Sequence, residues 1–441
     1  SAPHDFSVAR RIAKKDWEAR LDRIRVQGGT LAQQRTFYTA FYHSLIKPSE
    51  AHNESPFWPW DGPFFFDFST LWDMYKTQLP LVLSLFPDEG AAIVNAMLTV
   101  VEMEGNFPIG YRLARGYDRF SHQASALGHV VIADAFHRRL PGIDWERALT
   151  LMSKDLGREY GEAFFQDGVV HPLTHTLDLA YGCFCTAAIA TEIGDTTVAA
   201  QMFEYASQWE NAFDKNGVLR DSTYYEGSKY NYSFRLLHDM ASRISLAGGD
   251  TAFVDLLDTF FGYAADSVPA PGVSPCRAEM AEGELLGRFE GFNNEPDMES
   301  PYAYIYAGRH DRACEVIRAG LTQCYGDSRG GLVGNDDSGG MSSWYVWSAL
   351  GLFPVAGQDV FLIGSPLFNR AEVQFGPDQA FAIETDGGGT ESPYIQSVLL
   401  DGKPFKSPYL CWRDLCSGGT LSVKMTSTPT VWTQERPPSV M

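Results

Sequence analysis

The chain has 441 residues, 44% of them hydrophobic, and carries a formal net charge of -20 with a pI of about 4.9. This excess of acidic residues argues against nucleic-acid binding, which needs clustered Lys and Arg, and against electrostatic docking on an anionic membrane. The most apolar stretches fall far short of the roughly 20 residues that a membrane-spanning helix requires. A chain of this length can bury a large core, so we expect two to three domains or one large barrel.

Helical periodicity dominates the chain up to about residue 355. An amphipathic helix is predicted over 12–26, and a proline followed by two acids opens another helix at Pro87. Further helices are predicted over 31–45, 128–140, 176–193, 197–213, 232–247, 252–264, 311–324 and 341–352. About a dozen helices joined by loops of alternating length indicate antiparallel pairs, and a closed α/α toroid satisfies that pattern. Such a toroid collects pocket residues on the loops at one end.

The pattern changes after residue 355 to short, alternating runs of β-branched and aromatic residues. Glycine, proline and aspartate separate these runs, as expected for strands and turns. Strands are predicted over 360–363, 371–375, 380–384, 395–400 and 420–425. We therefore expect an antiparallel β region that packs against the helices. It is a weak candidate for chemistry, because its sequence lacks a cluster of acids and histidines.

A glycine-flanked loop holds two adjacent acids, Asp336 and Asp337, just before the aromatic helix that starts near Met341. Two neighbouring carboxylates are costly to keep ionised together unless a cation or a proton is shared between them. The loop is thus a candidate for metal binding, general-base catalysis, or both. The alternative is a turn that caps the following helix, with Asp337 or Ser338 as N-cap.

Glu226 is the one carboxylate in an aromatic stretch, 224–234, that contains five aromatic residues. Aromatic packing desolvates a carboxylate and raises its pKa, as a general acid requires near neutral pH. Lys229 would oppose that shift if its side chain pointed inward. The alternative is a solvent-facing glutamate in the first turn of a helix, where the helix dipole favours it.

Two further motifs lie in loops of the helical part. Trp72 and Asp73 pair an aromatic face with a carboxylate, the combination expected where a sugar ring stacks and its hydroxyls are bound. A buried tryptophan beside a capping aspartate is the alternative. The stretch 292–302 contains three acids and two amides, including Asn294 and Glu295, and such oxygen donors suit a hard cation such as calcium.

Together these motifs resemble glycoside hydrolase family 92. The resemblance rests on the order of Trp72-Asp73, Glu226-Gly227-Ser228 with Asn231-Tyr232, Asn294-Glu295-Pro296, Gly334–Trp344, Ile363–Phe368 and Phe37–His43. It extends from about residue 6 to the end of the chain. Members of the family are calcium-dependent exo-α-mannosidases that invert the anomeric configuration. Their catalytic domain is an (α/α)6 toroid preceded by a β-sandwich domain.

The resemblance implies a role for each candidate residue. Glu226 would be the general acid, and Asp337, or less favourably Asp336, the general base that activates water. Asn294, Glu295 and Asp337 would hold Ca2+. Trp72, Asp73, Asn231 and Glu295 would line the mannose subsite. An inverting pair has its carboxyl groups about 6.5–9.5 Å apart, which is the separation we predict for Glu226 and Asp337.

The resemblance also divides the chain and suggests its substrate. Residues 1–30 would form a linker helix, 31–355 the (α/α)6 toroid and 356–441 the C-terminal β region, and the β-sandwich domain of the family is absent from this sequence. Mannan or N-glycan, most often α-1,2-linked, would be the substrate. Because such glycans lie outside cells, an extracellular or cell-surface location is expected, although the chain does not begin with a signal peptide.

Three alternatives stay open at this stage. A relative in the same family would remove mannose from a mannose-1-phospho-6-mannose cap, and Lys229 would then meet the phosphate. A different toroid enzyme, such as a glucosidase or a polysaccharide lyase, is the second. The third is a glycan-binding protein that has kept the pocket and lost the chemistry, against which stands the presence of both Glu226 and Asp337.

Overall fold

The structure is a computed structural model. It describes residues 5–55, 57–66, 71–107, 109–112, 116–118, 123–158, 160–263, 294–334, 336–376, 380–389 and 391–440. Asn335, the residues between Phe66 and Leu71 in the Trp72 motif, and Asn293 lie outside these ranges, as does most of the predicted loop 266–297.

Helices make up most of the described chain before residue 351, and side-chain caps start several of them. Thr30 and Gln33 form a reciprocal capping box on the second helix, which satisfies backbone donors that have no partner within the helix. The helices are Phe6–Leu21, Leu31–His43, Leu71–Met74, Gln78–Leu85, Pro87–Glu104, Leu127–His137, Trp145–Leu156, Tyr160–Asp167, Leu173–Ile193, Thr196–Ala206, Lys229–Ser233, Met240–Leu246, Asp250–Phe260, Ser300–Tyr306, His310–Ala319, Gly340–Leu350 and Trp412–Cys416. Shorter helical turns are Ser207–Ala212, Glu295–Met298, Gly320–Cys324 and Asp337–Gly339.

Several helices are buried along most of their length, among them Leu173–Ile193 and Gly340–Leu350. Leu173–Ile193 is buried on every side over most of its turns, and Gly340–Leu350 is buried at every position. A helix that is apolar all round belongs inside a large protein rather than on its surface. The second of these helices begins at the acidic loop, so the loop is anchored directly to the core.

Most strands follow the helical part, in agreement with the sequence pattern, and five short ones lie within it. They are β1 Ile24–Gln27, β2 Ser49–Glu50, β3 Phe65–Phe66, β4 Gly110–Arg112, β5 Gly116–Asp118, β6 Leu352–Pro354, β7 Phe361–Ile363, β8 Arg370–Val373, β9 Phe381–Asp386, β10 Tyr394–Leu400, β11 Lys403–Phe405, β12 Tyr409–Leu410 and β13 Gly419–Thr426. The largest sheet has the order β1-β8-β9-β13-β10-β11. Its pairs are antiparallel except β9 with β13, which run parallel. The predicted fold class, mainly helical with an antiparallel-rich C-terminal β region, is confirmed.

Two predicted helices are wrong in extent. The helix predicted over 12–26 ends at Leu21, and Ile24–Gln27 forms β1, which pairs with β8. The helix predicted over 232–247 is interrupted, because Lys229–Ser233 and Met240–Leu246 are separate helices. The segment assigned to a linker helix therefore also supplies an edge strand to the C-terminal sheet.

A buried polar network joins the helices to this sheet. Glu315, on His310–Ala319, accepts hydrogen bonds from the Tyr263 hydroxyl at 2.9 Å and from Arg312 at 2.9 Å. The Tyr394 hydroxyl, from β10, donates to the same carboxylate. A buried charge with several donors is stable, whereas one left unpaired is costly, so the network fixes the sheet against the helices. None of the described helices has the length and apolar character needed to cross a membrane.

Candidate active site

Three carboxylates from distant parts of the sequence meet at one point. Asp73 lies in the short helix Leu71–Met74, Glu295 opens the turn Glu295–Met298, and Asp337 opens the turn Asp337–Gly339. One oxygen of each carboxylate lies within 4.8 Å of one oxygen of each of the others. Three negative charges at this separation repel one another strongly in a partly buried site, so the cluster needs a compensating cation or bound protons.

Glu295 is the most informative member of this acidic triad. Its side chain is fully buried, and neither carboxylate oxygen has a hydrogen-bond partner among the described residues. Burial raises the pKa of Glu295 well above its usual value, and the charges of Asp73 and Asp337 act in the same direction. Buried carboxylate oxygens without donors are what a hard divalent cation requires. The residues of the triad thus fit a calcium ion.

The two acids of the loop have different partners. Asp336 accepts hydrogen bonds from the backbone N–H of Ser342 at 2.8 Å and from its hydroxyl at 2.9 Å, and lies 3.3 Å from Nδ1 of His43. The carboxylate that binds the first turn of Gly340–Leu350 is therefore Asp336, and not the predicted Asp337 or Ser338. Asp337 is half-buried and faces the triad instead.

The backbone of the loop is held in an uncommon conformation. Asp337, Ser338 and Gly339 have φ values of 37°, 67° and 88°. Two consecutive non-glycine residues with positive φ are rare, and such strain persists only where the surrounding structure enforces it, often at functional sites. Burial raises the pKa of the Asp337 carboxyl, and the nearby charges of Glu226 and Asp336 add to this, whereas Lys47 opposes it. Asp337 is thus a stronger base than an ordinary aspartate.

Glu226 lies on a loop that is hydrogen-bonded to Asn294, the residue before Glu295. Its own φ is 45°. Asn294 Nδ2 donates to the Glu226 backbone oxygen at 3.0 Å and to its Oε2 at 3.3 Å. Glu226 is exposed, and not enclosed by its aromatic neighbours as the sequence suggested. A hydrogen bond links it to Tyr225, and burial together with this contact raises the pKa of Tyr225 to about 12.

Asn231 stabilises the same loop from inside the protein. Its Oδ1 accepts from the backbone N–H and the hydroxyl of Ser228, at 2.8 and 2.7 Å, and its Nδ2 donates to Asp297 Oδ1 at 3.1 Å. Asn231 is only 1% exposed. These bonds connect the Glu226 loop to the turn Glu295–Met298, so Asn231 fixes the position of one relative to the other. Its predicted contact with substrate stays a prediction.

Trp72 and Asp73 lie side by side in the wall of the site. Both are buried, and the Trp72 ring meets Tyr225 edge to face at 5.4 Å. Trp72 also lines a small cavity of about 10 Å³ together with Tyr75, Lys76, Gln123, Thr174, Asp178, Tyr232, Arg235 and Pro296. The pair therefore places a tryptophan next to a triad carboxylate, as the sequence predicts for a sugar subsite.

The structure brings together most of the predicted site and adds residues that the sequence did not point to. Asp73, predicted only for substrate, belongs to the acidic triad. Lys76 donates from Nζ to the Glu295 backbone oxygen at 3.0 Å and was not predicted. One signal was present in the sequence, because Asp73 and Lys76 are three positions apart in a largely apolar segment, where a lysine needs a buried partner.

The sequence matches a known enzyme family along nearly its whole length. Residues 1–427 match the glycosyl hydrolase family 92 catalytic domain. A curated relative, named an uncharacterized secreted glycosidase, of the fungus Arthroderma benhamiae is 24% identical over 499 residues. The match covers 97% of this chain and 58% of that protein, so the chain spans little more than half the length of the relative.

Two solved structures from Bacteroides thetaiotaomicron have the same fold. One, a family GH92 inverting mannosidase, superposes with a TM-score of 0.85 at 24% identity, over 99% of this chain and 66% of that one. The other, a family GH92 α-mannosidase, gives a TM-score of 0.86 at 22% identity, over 99% of this chain and 61% of that one. At these identities the likeness shows the fold. The match along nearly the whole chain settles its classification: this chain belongs to glycosyl hydrolase family 92.

Proposed function

We propose that the chain is the catalytic part of an exo-acting α-mannosidase. It removes terminal α-linked mannose, with α-1,2 as the first linkage to test, from mannan or N-glycan, and it inverts the configuration at the anomeric carbon. The observation that carries this proposal is the position of Asp337, a half-buried carboxylate that belongs to the acidic triad. The pKa of Asp337 is raised by burial and by the negative charge of Glu226.

The reaction needs two proton transfers. Glu226 donates its proton to the glycosidic oxygen as the bond from that oxygen to the anomeric carbon breaks. A water molecule attacks the anomeric carbon from the opposite face of the ring, and Asp337 takes the proton that the water loses. The exposed position of Glu226 suits a general acid, because the general acid must meet a leaving group that extends into solvent.

A calcium ion would be held by Asp73, Glu295 and Asp337, with Asn294 as the further ligand predicted from the sequence. When bound, such an ion supplies positive charge that draws sugar hydroxyls into place and offsets the three carboxylates. The buried, partnerless oxygens of Glu295 support this assignment. Trp72, predicted to line the mannose subsite, lies beside Asp73 but is only 5% exposed, so its contact with a sugar ring stays a prediction.

The phosphate-linked alternative has less support. Lys229, the cation that would meet a phosphate, donates to Asp221 at 2.8 Å on the protein surface. A lysine already paired in this way is a poor anchor for a second anion. Retention of Glu226 also favours an ordinary glycosidic leaving group, because phosphate departs without help from an acid.

A panel of mannobioses and a mannose-phosphate-mannose, each assayed with and without EDTA, tests the proposal. We expect release of mannose from at least one α-linked mannobiose, loss of that activity in EDTA, and its return with calcium. Activity that is indifferent to EDTA would remove the calcium assignment. Absence of hydrolysis throughout the panel, with calcium present and the fold intact, would remove the mannosidase assignment.

We further propose that the protein acts outside the cell and that a β-sandwich domain accompanies this chain in the full protein. The support is the name of the fungal relative, a secreted glycosidase, and the share of the relatives, 58–66%, that this chain spans. The mass of the protein isolated from culture medium and from cell extract of its natural source tests both points. An active 49.0 kDa species found only in the cell extract would contradict them.

A further inference from the structure

Lys76 is a buried cation next to the acidic triad, yet it belongs to none of the roles described so far. Lys76 is only 5% exposed. The ammonium donates to the backbone oxygen of Glu295 at 3.0 Å and lies 3.4 Å from Oε2 of Glu299. Burying a charged lysine is costly unless it is paired and hydrogen-bonded, so these two contacts are what keep Lys76 in place.

The segment that contains Lys76 connects the three parts of the triad. Asp73 lies one helical turn before it. Thr77, the next residue, exchanges a hydrogen bond of 2.8 Å with Ser343 and donates to the backbone oxygen of Gly340 at 3.2 Å. Lys76 thus reaches the Glu295 turn, while its neighbour reaches the helix that follows Asp337.

The contact with Glu295 has a specific geometric consequence. The carboxylate of Glu295 has no hydrogen-bond partner among the described residues, so nothing polar in that part of the chain orients the side chain directly. The backbone that carries it is held by Lys76 through the carbonyl of the same residue. A charge-assisted hydrogen bond in a dry site is stronger and more directional than a neutral one.

We propose that Lys76 is the positioning residue of the cation site: its ammonium fixes the main chain at Glu295 so that the carboxylate faces Asp73 and Asp337. This inference rests on the proposed calcium site. Lys76 does not contact the reacting atoms. Its positive charge also favours the ionised form of the Glu295 carboxylate, which burial and the charges of Asp73 and Asp337 oppose.

The test is the calcium dissociation constant of the purified protein, measured by isothermal titration calorimetry with calcium alone. Lys76→Met removes the charge and all donors, and we expect it to weaken calcium binding at least tenfold. Lys76→Arg keeps a charged donor and should bind within about threefold of the wild type. Lys76→Gln, with a neutral amide donor, replaces Lys76→Met if that variant does not fold, and should lose affinity in the same direction.

A matched control is available in the helix His310–Ala319. Arg318 is also a buried cation that donates to a backbone oxygen, that of Pro366, at 2.6 Å, but it contacts no member of the triad. We expect Arg318→Met to lower stability and to leave the calcium dissociation constant of the folded protein unchanged.

The outcomes separate the two proposals. If the wild type binds no calcium, the cation site itself is wrong, and this inference falls with it. If the wild type binds calcium and the folded Lys76→Met or Lys76→Gln protein binds it equally well or more tightly, the positioning role is wrong while the site stands. Equal weakening in Arg318→Met would likewise overturn it, since the effect would then be a general loss of stability.

Discussion

The two neighbouring acids of the loop, Asp336 and Asp337, have different surroundings. Asp336 is held by the backbone and hydroxyl of Ser342, which are part of the first turn of Gly340–Leu350. Asp337 is turned towards the triad by a backbone with positive φ. The sequence predicts Asp337, or less favourably Asp336, as the base. The hydrogen bonds of Asp336 assign it a place in the helix start, and the role of Asp337 as base stays a prediction.

Asparagine substitutions should separate these two roles. Asp337→Asn removes the base, so we expect turnover to fall about 10²- to 10⁴-fold with little change in thermal stability. Asp336→Asn weakens the helix cap, so we expect a loss of about 1 kcal/mol in the free energy of unfolding and a much smaller loss of turnover. Steady-state kinetics and urea unfolding of both variants measure this. The assignment of the base is wrong if Asp336→Asn is the less active of the two.

The role of Glu226 as acid predicts a dependence on the leaving group. Glu226→Gln should lower turnover of a mannobiose by about 10²- to 10⁴-fold, because the departing sugar oxygen needs a proton. Dinitrophenolate leaves without being protonated, so this variant should hydrolyse a dinitrophenyl mannoside nearly as fast as the wild type does. Asp337→Asn is the control and should be slow on both substrates. An equal loss of turnover by Glu226→Gln on both substrates would exclude the role of Glu226 as general acid.

The helix Gly340–Leu350 packs its first residue against the triad with no room for a side chain. A Cβ at Gly340 would lie 2.6 Å from the backbone oxygen of Asp73 and 3.2 Å from Oε1 of Glu295. The closest of these atoms is backbone, which cannot move aside cheaply. The glycine here is therefore required by close approach, and not by its φ of -59°.

Gly340→Ala should consequently disturb the site more than the fold. Displacement of Asp73 or Glu295 by a few tenths of an ångström to 1 Å should lower activity by up to about 100-fold and weaken calcium binding. Gly157→Ala is a matched control, because a Cβ there meets only the Lys154 backbone oxygen at 3.6 Å. Unchanged kinetics and calcium affinity in Gly340→Ala would mean that the triad is not the functional site.

Local sequence patterns predicted the elements well where their cause is local. Apolar spacing located most of the predicted helices to within a few positions, as for the helix predicted over 176–193 and observed as Leu173–Ile193. The helices Trp145–Leu156 and Tyr160–Asp167 were not predicted. β1 was missed, because Ile24–Gln27 forms a strand only by pairing with β8, which lies far along the chain. Nothing within the segment itself records that partner.

The sequence pointed to individual residues of the candidate active site, but not to their arrangement in space. An aromatic stretch with a single carboxylate pointed to Glu226, and loops rich in acids and amides pointed to Asn294, Glu295 and Asp337. The meeting of Asp73 with Glu295 and Asp337, and the contact of Lys76 with Glu295, depend on how three distant segments pack. The separation of about 6.5–9.5 Å between the carboxyls of Glu226 and Asp337 remains a prediction.

Buried histidines make the whole molecule sensitive to acid. Burial lowers the pKa of His238 to about 4, and the same effect lowers the pKa of His310 to about 4. Both groups have an ordinary value of 6.5, so the unfolded chain binds protons that the folded protein does not. Their stabilising contribution is present above pH 6.5 and is lost as the pH falls towards 4, at about 1.4 kcal/mol per pKa unit.

His238→Phe should reduce that acid sensitivity. The ring of His238 stacks on Phe184 at 4.7 Å, so a phenyl ring can take its place. We expect the free energy of unfolding to fall less steeply between pH 6.5 and 4 than in the wild type, as measured by urea unfolding at several pH values. His52→Phe, at an exposed histidine, should leave the slope unchanged. An unchanged slope in His238→Phe would contradict the assignment.

The central claim is that Glu226 and Asp337 hydrolyse an α-mannoside by a single inverting displacement at a site that calcium completes. Proton NMR of the first mannose released from an α-linked mannobiose, with calcium and again with EDTA, tests it most directly. We predict that β-mannose forms first, before mutarotation, and that EDTA abolishes its release until calcium is restored. Initial formation of α-mannose would contradict the inverting pair, and equal release in EDTA would contradict the metal.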